Sequence, residues 1–90
     1  MAVLVRIPIP LRRFVEGRSV VEAQGRTVSQ VLGDLGFRYP GVQQRLYDSS
    51  GLRPFVNIYL NDEDIRFLSG EDTPVKDGDL ISVVPAIAGG

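Results

Sequence analysis

Apolar and polar positions alternate over Val3-Leu4-Val5-Arg6-Ile7. That pattern predicts a half-buried strand with Val3, Val5 and Ile7 facing the core and Leu4 and Arg6 facing away. Pro8 and Pro10 donate no backbone hydrogen bond, so the pairing should end there. A loop is predicted around Arg12 to Gly17, then a second strand over 18–24, closed by Gly25. The period then changes. Val28, Val31, Leu32 and Leu35 stand at i, i+3, i+4 and i+7, one apolar stripe of a helix. Thr27, followed three residues later by Gln30, reads as the capping box that opens it, and Gly36 as its stop. A short second helical turn is predicted over 40–47, and a loop at Asp48-Ser49-Ser50-Gly51.

The strongest strand covers 54–61. Val56, Ile58 and Leu60 should face inward, and Phe55, Asn57 and Tyr59 outward. Asn61-Asp62-Glu63-Asp64 reads as a polar turn and 65–68 as a short extended piece. Lys76-Asp77-Gly78-Asp79 is a tight turn that launches a last strand over 80–85. The chain carries no repeat, linker or low-complexity segment.

The order strand, strand, helix, strands predicts an α+β fold. The first two strands pair as a hairpin, and the helix crosses over to lay its stripe on one face of a mixed sheet. This is the β-grasp, or ubiquitin-like, arrangement, with one main helix on one face. In that fold the last strand lies parallel beside the first. The chain end should then emerge beside the loop that carries Leu11, Arg12, Arg13 and Phe14. The expected organisation is a β-grasp domain over 1–85 and a flexible tail over 86–90.

Composition narrows the chemistry. Ninety residues with 43% apolar and 23% charged positions fit one soluble domain. With no Cys and no His, disulfides, zinc or iron–sulfur ligation, and thiol or imidazole catalysis are excluded. No apolar run is long enough to span a membrane, and Arg6 and the prolines break any signal-peptide pattern, so a cytoplasmic location is expected. A net charge of −1 predicts no attraction to nucleic acid. The charge is unevenly spread: residues 1–56 hold eight Arg and four acids, whereas 57–90 hold seven acids against Arg66 and Lys76. Such asymmetry suits charge-guided docking. The acidic run Asp62-Glu63-Asp64 has no His or ligand loop beside it, and a solvated turn rather than a metal site is expected.

The sequence ends Ala86-Ile87-Ala88-Gly89-Gly90. A glycine pair has no Cβ, enters narrow channels and offers only the Gly90 α-carboxylate. Five extended residues reach roughly 16–18 Å, enough to place that carboxylate in a partner's active site. Docking candidates are the outward Phe55 and Tyr59, with Leu4 and Val84 on the same face, and Arg12 and Arg13 beside the tail.

Three segments carry a family resemblance: Phe55-Val56-Asn57-Ile58-Tyr59-Leu60-Asn61-Asp62-Glu63-Asp64-Ile65-Arg66-Phe67, Asp77-Gly78-Asp79, and Val84-Pro85-Ala86-Ile87-Ala88-Gly89-Gly90. With these the chain resembles the ubiquitin-like bacterial sulfur carriers over its whole length, most closely those of cysteine biosynthesis. The small subunits of molybdopterin synthase typically end Pro-Pro-Val-Ser-Gly-Gly. Ala86 and Ala88 depart from that ending.

The resemblance implies a protein cosubstrate rather than an enzyme. A ubiquitin-activating-like enzyme would use ATP with Mg to adenylate Gly90, and sulfur would displace AMP to leave a thiocarboxylate. A pyridoxal-phosphate cysteine synthase would accept the sulfur, and a metallopeptidase would release the product. The tail residues Ala86, Ile87, Ala88 and Gly89 would contact the partner. Two further readings share the activated carboxylate: a partner of the large subunit of molybdopterin synthase, and a ubiquitin-like protein modifier.

Overall fold

The computed structural model describes residues 2–53 and 56–85. Strand β1 (Ala2–Arg6) pairs antiparallel with β2 (Val20–Gln24), with Val3 opposite Ala23 and Val5 opposite Val21. These core-side residues are buried, as the alternation requires, and so is Ile7. The connection is not the expected open loop. Ile9–Val15 forms a 3-10 helix, with Pro8 as its extended N-cap and a proline in its first turn. A proline there loses a donor that would have had no partner anyway.

Helix α1 (Val28–Arg38) buries Val28, Val31, Leu32 and Leu35. Thr27 Oγ1 accepts the Gln30 N–H at 3.2 Å, but Gln30 Oε1 reaches one residue further back than a capping box requires, to the Arg26 N–H at 2.9 Å. Gly36 does not stop the helix, which runs on to Arg38. Gly36 is buried, and a Cβ there would overlap Gln43 Oε1 of α2 (Pro40–Leu46). Its role is close helix approach.

A short hairpin, β3 (Tyr47–Asp48) with β4 (Gly51–Leu52), replaces the expected loop. Strand β5 (Val56–Leu60) has Val56 and Ile58 buried and Leu60 half-buried against the core. Asn61 and Asp62 turn the chain into β6 (Glu63–Asp64), so the acidic run is half turn, half strand. Asp64 is buried and caps a 3-10 turn at Ile65–Phe67, where an extended piece was expected. Arg66 grips the Asp64 carboxylate through Nη2 at 2.7 Å and its own N–H at 2.8 Å. These hydrogen bonds, guanidinium first, hold the Asp64 carboxyl below its ordinary range, against the opposing effect of burial. A further 3-10 turn, Gly70–Asp72, presents Glu71 to the Tyr47 hydroxyl at 2.8 Å.

Strand β7 (Leu80–Pro85) closes the fold. It runs parallel to β1, Val5 facing Ile81, and antiparallel to β5, Ile58 facing Val83. The five-stranded sheet has the order β2-β1-β7-β5-β6. The Lys76–Asp79 turn makes this closure specific. Gly78, at φ 86°, donates its N–H to Ala2 O, while Leu4 N–H donates to Asp79 O. Asn61 Oδ1 accepts the Leu80 N–H at 3.1 Å, which ties the end of β5 to the start of β7. The helices cover one face of the sheet, and the apolar core lies between.

Candidate functional site

Pro85, the last described residue of β7, pairs with Val56 across the sheet. The segment Ala86, Ile87, Ala88, Gly89 and Gly90 follows it directly. These five residues, and Phe55, lie outside the described residues. What the structure does describe is the platform around the end of β7.

One side of that platform is the open face of the sheet. Register places Leu4 and Arg6 of β1, Leu80, Ser82 and Val84 of β7, and Asn57 and Tyr59 of β5 on it together. Leu4 and Val84 are 41% and 42% exposed, so the apolar content of this face is open to water. Tyr59 is half-buried between Ser82 and Asp64 on the neighbouring strands. The Arg66–Asp64 pair stands at the edge. Tyr59 thus lies on the outward face that alternation predicts.

The other side is an apolar groove of about 500 Å³ between the first 3-10 helix, α2 and β7. Pro8, Ile9, Pro10 and Leu11 line it from the helix and its cap, and Val83 and Pro85 from β7. Pro85 therefore stands next to the connection that topology predicts. The two arginines of that connection divide. Arg12 Nε turns inward and donates to Ile7 O at 3.0 Å, a bond that holds the 3-10 helix to the end of β1. Arg13 is exposed and stacks on Phe14, its guanidinium carbon 4.9 Å from the ring centroid. Arg45 of α2, which sequence reasoning missed, stacks on the same ring at 5.1 Å and also lines the groove. Only the packing of α2 onto the 3-10 helix brings Arg45 there, and no local pattern signals it.

Among the described residues no group of His, Cys, Asp and Glu is arranged to hold a metal ion, and no helix is long and apolar enough to cross a membrane. The arrangement sets an open sheet face and an apolar groove around the end of β7.

Comparison with known proteins fits this geometry. The model of the ThiS family matches residues 5–90. The chain belongs to the ThiS family. The sulfur carrier protein CysO of Mycobacterium tuberculosis is 46% identical over the full length of both chains. Small archaeal modifier protein 3 of Haloferax volcanii is 39% identical over 91% of this chain and 98% of that one. The crystal structure of the Amycolatopsis orientalis BexX/CysO complex contains a chain that superposes with a TM-score of 0.89 at 44% identity. That match covers 98% of this chain and 99% of the other. The β-grasp fold is thereby established, and the relatives named as carriers are ubiquitin-like proteins rather than enzymes.

Proposed function

We propose that this chain is a sulfur carrier for cysteine biosynthesis. The observation that carries the reading is full-length identity of 46% to the sulfur carrier protein CysO. The Gly89-Gly90 pair, four and five residues beyond the end of β7, agrees with it.

The chemistry follows from the end group. A carboxylate is a poor electrophile. Its oxygen attacks the α-phosphorus of ATP, with Mg, in the activating enzyme, and pyrophosphate leaves. Sulfide sulfur then attacks the Gly90 carbonyl carbon, AMP leaves, and a thiocarboxylate remains. That sulfur is anionic and polarizable, a soft nucleophile of the thiolate kind. A pyridoxal-phosphate synthase supplies the carbon acceptor, and a metallopeptidase frees the product. The carrier contributes the cargo end and the surfaces that seat it.

The test is intact-mass spectrometry of the chain after incubation with the adenylating enzyme, ATP, Mg and sulfide. Exchange of one oxygen for sulfur is expected. A variant with residues appended after Gly90 should gain nothing; if it loads equally, the carrier reading is wrong.

A second reading, protein modification, draws on the similarity to the Haloferax modifier protein. It predicts Gly-Gly remnants on lysines of other proteins in peptide maps, which the carrier reading does not require.

A further inference from the structure

Ile9 is 74% exposed, the most open large aliphatic side chain among the described residues. Its backbone is confined by two prolines. Pro8 and Pro10 flank it, Pro8 at φ −68° as the cap of the 3-10 helix. Proline fixes its own φ and restricts the backbone of the residue before it, so the chain around Ile9 has little backbone freedom to lose on binding. Beside it the groove is apolar, formed by Leu11, Leu46, Val83 and Pro85.

The rim is cationic. Arg45 lines the groove and, with Arg13, stacks on Phe14. Phe14 in turn lies so close to Gly41 that a Cβ there would come within 2.5 Å of the ring. Both guanidinium groups are thus positioned by stacking, and neither is within ion-pair distance of a carboxylate among the described residues. An apolar opening with uncompensated positive charge at its edge fits an apolar side chain flanked by acids. Position selects the protein that brings it. Pro85 forms part of the groove wall, so an enzyme that takes hold of residues 86–90 lies against this groove as it works. A second copy that met this groove with its own would fit poorly, because Arg13 and Arg45 would face their like.

We propose that the groove between the first 3-10 helix, α2 and β7 receives an acid-flanked apolar side chain of the adenylating enzyme, with Ile9 as the anchor and Arg45 as the charge partner. The proposal rests on the carrier reading above.

The experiment titrates the full chain onto the adenylating enzyme and follows ATP–pyrophosphate exchange, for the parent and for Ile9→Asp, Arg45→Glu and Phe37→Asp. Phe37 is 86% exposed and does not line the groove. Ile9→Asp and Arg45→Glu should each weaken Kd by about tenfold or more at unchanged melting temperature, while Phe37→Asp stays within about twofold. Added salt should weaken the parent more steeply than Arg45→Glu. If Ile9→Asp and Arg45→Glu bind within about twofold of an active parent, the proposal is overturned and the carrier reading stands. If the parent itself supports no exchange, the carrier reading fails and the proposal falls with it. A parent dimer that Ile9→Asp dissolves would assign the groove to a second copy. Shifts of the Leu11 and Leu46 methyl signals on removal of residues 86–90 from the free chain would assign it to the chain's own tail. Either result also overturns the proposal.

Discussion

Ile58 and Tyr59 are neighbours on β5 with opposite surroundings. Ile58 is 2% exposed in the core; Tyr59 is half-buried on the open face. Ile58→Ala should cost about 2–5 kcal/mol of stability, because the cavity it leaves cannot collapse fully. Tyr59→Ala should cost less, and should weaken binding to the adenylating enzyme by about 1–3 kcal/mol. Thermal unfolding beside titration separates the two effects. A Tyr59→Ala chain that unfolds, yet binds normally when folded, would place the tyrosine in the structure rather than the interface. Asp64 gives a pH signature. Its folded value lies below the ordinary 3.8, so its contribution is present above pH 3.8 and is lost as pH falls through the folded value. Asp64→Asn should therefore be less stable at neutral pH and show a shallower loss in acid. Melting temperature against pH checks this, and an unchanged acid slope would assign the acid sensitivity to other carboxylates.

At the scale of elements, the platform depends on one close approach. Phe14 of the first 3-10 helix packs on Gly41 of α2 while Arg13 and Arg45 stack on its ring. Gly41→Val would drive the ring away, and overpacking of this kind costs about 1–3 kcal/mol. The displaced ring would also release both arginines. Gly41→Val should thus lower the melting temperature and weaken adenylating-enzyme binding together, whereas Gly33→Ala, where a Cβ meets nothing within 4 Å, should do neither. Equal effects at the two positions would show that helix propensity, not the Phe14 contact, sets the outcome.

At the scale of the molecule, every buried core residue among those described lies at or before Val83. A chain ending at Pro85 should therefore melt within about 0.5 kcal/mol of the full chain while supporting no pyrophosphate exchange. Gly89→Val should melt like the parent too but load slowly, since a β-branched side chain both widens the tail and restricts its backbone. A large loss of stability in either variant would mean that residues 86–90 pack on the domain.

Most of the fold was legible because local periodicity states which face is buried. The spacing of Val3, Val5 and Ile7, the stripe from Val28 to Leu35, and the alternation of Val56 and Ile58 each need only a few neighbouring residues to be read. The 3-10 helix after Pro8, the β3–β4 hairpin and β6 were not read, because pieces so short carry too few apolar positions to show a period. Gly36 misled for a different reason: a glycine that ends a helix and one that admits a neighbouring helix look alike until the neighbour is in place. The glycine tail, the absence of Cys and His, and the family resemblance came from sequence alone, since they depend on residue identity and not on contacts. Tertiary structure decided where Pro85 stands and what surrounds it. The parallel pairing of β1 with β7 joins positions more than seventy residues apart, such as Val5 and Ile81. Only that closure, with α2 packed behind it, sets Ile9, Arg45 and Pro85 around one groove. Long-range contacts of this kind are fixed by the burial of the whole core, which no local window contains.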